Sequence, residues 1–182
     1  MSAPLLFIIE TLFDLYVLCF ILRLVMQMTR ADFHNPLSQF IVRVTNPLLV
    51  PLRKLVPGYR GLDVAAVLLI LILELIATAA LFPLKTGMSP NPATLIYFAL
   101  LRTLVTVIRL YFFAILIYAI LSFVSPGTYN PLSSVLASIC EPALRPVRRV
   151  IPPIGGIDLS PLFLLIGLQA LLMAIPMPAV LV

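Results

Sequence analysis

The stretch NPLSQFIVRVTNPLLVPLRKLVPGYRGLD runs from Asn35 to Asp63, and the chain writes it a second time as NPLSSVLASICEPALRPVRRVIPPIGGID, from Asn130 to Asp158. Aligned without a gap over 35–65 and 130–160, the copies share eleven identities in 31 positions. These are Asn35/Asn130, Pro36/Pro131, Leu37/Leu132, Ser38/Ser133, Pro47/Pro142, Leu49/Leu144, Pro51/Pro146, Arg53/Arg148, Pro57/Pro152, Gly61/Gly156 and Asp63/Asp158. The register also holds upstream, where Leu15-Tyr16 matches Leu110-Tyr111. An internal repeat organises everything else in a sequence.

Each copy sits between long apolar runs. Of the 182 residues, 62% are hydrophobic and 10% charged, whereas a soluble domain is nearer half apolar and a quarter charged. Four runs, 5–26, 64–82, 95–123 and 159–175, approach the about 20 apolar residues that a membrane helix needs. The fold expected is therefore an all-α membrane protein with four transmembrane helices. They form two parallel repeats, each a helix, an amphipathic Pro-rich loop and a helix. The first repeat is 1–84, the linker 85–94 and the second repeat 95–182. Two spans per repeat make the halves enter the bilayer in the same sense, about an axis along the membrane normal. The N-terminus lacks a basic stretch and carries Glu10 and Asp14, which predicts a retained first helix rather than a cleaved leader.

Charge sets the expected orientation. The repeated loops carry Arg30, Arg43, Arg53, Lys54 and Arg60 in the first copy and Arg145, Arg148 and Arg149 in the second, against Lys85 alone in the linker. Short Lys/Arg-rich loops stay in the cytoplasm, so both loops are expected there and both termini outside, in a bacterial inner membrane. The net charge of +5 then faces anionic lipid head groups rather than nucleic acid.

Within the loop, Leu37, Phe40, Ile41, Val44 and Leu48 share one helical face, as do Leu132, Val135, Leu136 and Ile139. Each reads as an amphipathic helix lying in the head-group plane. Asn46-Pro47 and Glu141-Pro142 read as a break and restart, with Asn46 capping the new piece, and Pro51 and Pro146 shorten it. Gly61 and Gly156 suit a tight turn, and Asp63 and Asp158 suit caps of the next helix. Arg53 and Arg148 are read either as phosphate anchors or as parts of a re-entry turn.

The apolar runs also hold charges. Glu10 and Asp14 lie one turn apart on the first helix, and Arg102 and Arg109 two turns apart on the third; the repeat register sets Asp14 opposite Arg109 in depth. Four unpaired charges would cost on the order of 10 kcal/mol, so a neutral interhelical cluster between these helices is expected. Glu74 is read as a carboxylate without an evident partner, its counterpart being Gln169. The cluster either fixes the packing of the halves or lines an ion path.

No nucleophile, phosphate-binding or dinucleotide motif is present, and Cys19, Cys140 and His34 have no ligand spacing. No enzymatic activity, metal or cofactor is expected. The doubled motif resembles the YggT family, also called YlmG, over nearly the whole chain. The resemblance implies an integral membrane protein to which no catalytic residue is assigned. It also implies an association with osmotic-stress tolerance and, in chloroplast relatives, with cytochrome assembly and nucleoid distribution. The function expected is a membrane scaffold or assembly factor whose partners are the bilayer, anionic head groups and a membrane protein, with homo-oligomerisation open. The alternative is a small transporter or channel using Glu74 and the Asp14/Arg109 cluster.

Overall fold

The computed structural model describes residues 3–59, 61–124, 130–151 and 158–176, with the backbone alone of Ala3 and Phe123. Pro152 and Gly156 of the repeated motif lie outside the described residues, as does Arg60. Six helices follow in order: α1 Ala3–Met28, α2 Pro36–Leu55, α3 Val64–Thr86, α4 Pro92–Val124, α5 Pro131–Val150 and α6 Ser160–Ala174. Among the described residues there are no strands, only an isolated bridge between Tyr59 and Leu62.

Three helices are long and apolar enough to cross a bilayer: α1, α3 and α4. α6 is apolar and has 15 residues, about 22 Å at 1.5 Å per residue against a hydrocarbon core of about 30 Å. Large apolar side chains point outward along the long helices. Phe7 and Leu12 of α1 are 67% and 63% exposed, and Ile72, Ile76, Leu100, Leu104 and Phe113 are also exposed. In water such a surface would be a severe penalty, whereas in lipid it is the ordinary outer face of a helix.

The core is built where α1 crosses the others. Phe20, Ile21 and Met26 of α1 are buried against Ala65, Ala66 and Ile70 of α3, Ile115 of α4, and Ile139 and Leu144 of α5. Ala65 and Ala66, in the first turn of α3, are fully buried in this cluster. α3 packs on α4, and the two repeated helices α2 and α5 touch each other. There the Asn35 side chain donates from Nδ2 to the Pro131 carbonyl at 2.6 Å. Asn35 and Asn130 each start their helix, accepting from the amides of Leu37 (3.0 Å) and Leu132 (2.9 Å). Pro36 and Pro131 follow in the first turn, where a missing N–H costs nothing.

The expected break at Asn46-Pro47 and Glu141-Pro142 does not occur. α2 and α5 are each continuous over 20 residues, with Pro47, Pro51, Pro142 and Pro146 inside them. The reason lies in which face the prolines occupy. All four are exposed, so the carbonyls they leave without an amide partner open outward rather than into the packed core. Nor does Asn46 cap a helix; its Oδ1 accepts from Arg23 at 2.9 Å.

The expected apolar face of α2 is divided between the protein core and the outside. The buried stripe of α2 is Ser38, Ile41, Thr45 and Leu49, while Phe40 and Leu48 are 57% and 41% exposed. Ser38 and Thr45 turn inward because their hydroxyls are satisfied there, by the Asp32 carbonyl at 2.7 Å and the Ile41 carbonyl at 2.7 Å. In α5 the expected Val135, Leu136 and Ile139 are buried, joined by Cys140 and Leu144.

Lys85 lies in the last turn of α3 rather than in a linker, because the helix runs on through Pro83 to Thr86. Gly87 closes it in the left-handed conformation (φ 70°), its amide bonding the Pro83 carbonyl at 2.9 Å. Gly61, at φ 85°, makes the turn between α2 and α3. A Cβ would find open space there, so Gly61→Ala is expected to cost about 1–2 kcal/mol from the backbone alone. Thermal unfolding in detergent, with Gly167→Ala in α6 as a control at an open helical position, measures it.

Candidate functional site

α1, α3 and α4 bring their charges to one place. Arg102 of α4, 5% exposed, is the hub. Its Nε donates to Glu74 Oε2 of α3 at 3.0 Å, its Nη2 donates to Asp14 Oδ1 of α1 at 2.7 Å, and its Nη1 lies 3.8 Å from Glu10 Oε1. Lys85, at the end of α3, donates to Glu10 Oε1 at 2.7 Å. The Thr106 hydroxyl, one turn beyond Arg102, lies 3.4 Å from Glu74 Oε1. A planar guanidinium presents five donors in a fixed fork, so it can address carboxylates on two helices at once.

The expected partners are therefore regrouped. Glu10, Asp14 and Arg102 do meet, but Asp14 is held by Arg102 and not by Arg109. Arg109 is exposed two turns along α4, and its charge reaches Asp14 only through space. Equal depth in the repeat register sets position along the axis but says nothing of rotation about it, and α4 turns Arg102 rather than Arg109 inward. Glu74 is not partnerless: it is 1% exposed and paired with Arg102 of its own chain. Lys85 was legible as a residue and hidden as a partner, because a loop position gives no reason to reach Glu10. Three carboxylates stand against Arg102, Lys85 and the more distant Arg109, so the group is formally neutral.

The repeated loop yields a second constellation. Arg53 donates from Nε to Asp63 Oδ2 at 3.0 Å, with Nη2 also on that oxygen. Asp63 Oδ1 accepts from the Ala66 amide at 3.1 Å and caps α3. One carboxylate thus starts the second helix of the repeat and clips it to the end of the preceding one. The second copy repeats the clip but not the cap: Arg148 Nε donates to Asp158 Oδ2 at 2.8 Å, and Asp158 Oδ1 accepts from the Ser160 amide at 2.9 Å in a local turn, while the expected cap is absent because Leu159 takes the N-cap position of α6 without a side-chain hydrogen bond. The two identities ten residues apart are thus partners of each other. Each had a sufficient local role of its own, and only the chain reversal shows that they meet.

The copies differ around this clip. Arg148 also donates from Nη1 to Glu141 Oε2 at 2.7 Å, and Glu141 stands where the first copy has Asn46. Partial burial works against the charge of Arg148, but the hydrogen bonds it donates to Asp158, Glu141 and Tyr118 outweigh it and raise its pKa. Burial likewise works against Asp158, but its bonds from Ser160 and Arg148 hold the carboxyl below the usual range. Cys140 is buried, and desolvation, with Glu141 beside it, pushes its thiol up to about 12, which keeps it a thiol and a poor nucleophile at neutral pH.

Long apolar helices with outward apolar faces, joined by an ion network buried between them, define a helical membrane protein. The chain belongs to the CCB3/YggT family: that family's model matches it twice, over residues 2–84 and 97–179. The two matches fall one in each half of the chain. The chain is similar to an uncharacterised Pseudomonas aeruginosa protein, 43% identical over 90% of this chain and 83% of that one. It is also similar to the Escherichia coli K12 protein called YggT, likewise uncharacterised, 39% identical over 93% of this chain and 87% of that one. No solved structure matches it.

Proposed function

We propose that this chain is a non-enzymatic, multi-pass membrane scaffold or assembly factor. Four spans, α1, α3, α4 and the shorter α6, form two parallel repeats in a bacterial inner membrane, with the repeated loops cytoplasmic and the termini outside. α2 and α5 lie in the head-group plane and present the basic residues at their ends, Arg53-Lys54 and Arg148-Arg149, to anionic lipid or a membrane partner. The observation that carries this reading is the use made of Arg102: its hydrogen bonds to Glu74 and Asp14 and its ion pair with Glu10 are spent on tying α1, α3 and α4 together. A staple of that kind suits a rigid frame better than an ion path, which needs groups that release their partners. The family resemblance points to a phenotype under osmotic or envelope stress.

Flux in proteoliposomes tests the reading. Well-folded wild-type protein is expected to pass no potassium, sodium or protons; flux abolished by Glu74→Gln would replace the scaffold with a transporter. A reporter fused after Val182 is expected to be active outside the cytoplasm. Cytoplasmic activity would overturn the orientation read from the loop charges.

A further inference from the structure

An open cleft of about 880 Å³ lies where the last turns of α1, one face of α2 and the α2–α3 turn meet. Arg23 and Gln27 of α1, Gln39, Arg43 and Arg53 of α2, and Asp63 line it. Among the described residues three arginines stand against one carboxylate, and that carboxylate is already engaged, by Arg53 on one oxygen and by the Ala66 amide on the other. The lining therefore carries two positive charges without a carboxylate of their own.

Arg23 is the telling one. It is 5% exposed, yet among the described residues it makes no ion pair. Its hydrogen bonds all leave from Nη1, to the Thr45 hydroxyl at 2.6 Å, the Asn46 side-chain oxygen at 2.9 Å and the Val42 carbonyl at 3.4 Å. Every acceptor is neutral. A guanidinium so withdrawn from solvent is costly unless an anion answers it. These bonds fix the group and leave Nε and Nη2 without a partner among the described residues, beside the cleft that the residue lines. Arg43, exposed on α2, lines the same cleft.

The second half shows the same framework with the surplus removed. At the positions of Arg23, Arg43 and Asn46 it has Tyr118, Ser138 and Glu141. Its one remaining arginine of the set, Arg148, is answered by Glu141 and Asp158 together. At these positions the second copy answers its single arginine; the first keeps unanswered charge around an opening.

We propose that the first-half cleft binds a phosphate-bearing anion, gripped by Arg23 and Arg43 with Arg53 at its edge. Guanidiniums converging from two helices match the several oxygens of a phosphate, which accept paired charge-assisted hydrogen bonds. A lipid head group and a soluble phosphate ester share this chemistry. The proposal deepens the reading of α2 as a helix in the head-group plane, and rests on it only for the lipid source.

The test uses the full-length protein in detergent. Native mass spectrometry reads retention of phosphatidylglycerol against phosphatidylcholine, and calorimetry reads glycerol 3-phosphate. Arg43→Gln, at an exposed position where folding is not at stake, is expected to weaken binding of at least one probe about tenfold, the scale of one charge-assisted bond. Arg23→Gln is expected to abolish it. Arg145→Gln, 70% exposed in the second half, is expected to leave it unchanged. A defect with phosphatidylglycerol alone identifies a head group, and a defect with glycerol 3-phosphate identifies a soluble anion; either supports the site. Wild-type binding of both probes by Arg43→Gln, or an equal loss in Arg145→Gln, overturns it. If Arg43→Gln is silent while Lys54→Gln with Arg149→Gln weakens association with anionic vesicles, the cleft falls and the membrane-surface reading stands.

Discussion

Replacing Arg102 by leucine is expected to destabilise the protein by about 3–5 kcal/mol, the cost of removing one partner from a buried ion pair, and to lower its level in the membrane accordingly. The side chain is the meeting point of three helices. Without it Glu74, 1% exposed, and Glu10, 13% exposed, keep only Thr106 and Lys85 respectively. Arg102→Lys is expected to recover only part of the loss, since an ammonium is a point charge and cannot fork between α1 and α3. Arg109→Leu should cost little, because Arg109 is exposed and outside the hydrogen-bonded group. Glu74→Leu combined with Arg102→Leu should be less damaging than the two single losses added, with a coupling of about 0.5–3 kcal/mol, as for any pair in direct contact. Melting temperatures in one detergent, with the single Glu74→Leu included, measure all five variants. A variant lacking Arg102 that melts like the wild type, or an Arg109 variant that melts lower, would sink the assignment of the hub.

The second large effect belongs to the clip. Asp63→Ala is expected to cost about 2–3 kcal/mol. About 1 kcal/mol is the lost cap of α3, and the rest is the charge-assisted bond to Arg53, discounted because Arg53 is 38% exposed and can turn to solvent. Asp63→Asn retains a capping oxygen and so separates the two contributions. The corresponding Asp158→Ala is expected to cost clearly less. Asp158 is itself 37% exposed, and Arg148 keeps Glu141 when Asp158 is gone. Equal losses at Asp63 and Asp158 would mean that Glu141 does not support Arg148 as the geometry says.

The unlike charges of α1 and α4 also explain what a doubled unit gains over two identical ones. Arg102 corresponds to Phe7, Asp14 to Arg109 and Glu10 to Val105. Two copies of one half could not present carboxylates on one side of the contact and the guanidinium on the other. In a single chain the halves can diverge, and here they diverge into complementary sets.

How much of this was legible in the sequence varies with the kind of information each feature needs. The repeat was, since it depends only on identity at a fixed spacing of 95 residues: α2 and α5 start at Pro36 and Pro131 and end at Leu55 and Val150. The long apolar helices were, since length and hydropathy are local. The roles of Asp63 and Gly61 were, because a cap and a left-handed turn are decided within a few residues. The continuity of α2 through Pro47 was not, because proline breaks a helix only when its orphaned carbonyl has nowhere to go, and that depends on which face looks inward. Which apolar residues of α2 pack inward has the same origin: Ile41 is buried, while Phe40 and Leu48 of the same expected face are exposed. Residues that look apolar to a periodicity are free to face outward where the outside is apolar too, while Ser38 and Thr45 go inward with their hydroxyls satisfied.

By itself, then, the sequence determined the class of the molecule, its internal repeat, the positions of its long apolar helices and the list of charges that had to be reconciled inside it. Only the tertiary structure decided who reconciles them: Arg102 rather than Arg109 for Asp14, Arg102 for Glu74, Lys85 for Glu10, and Arg53 for Asp63. Position along a helix is written in residue number at 1.5 Å per residue. Rotation about the axis, which chooses the partner, is set by how all the helices pack at once.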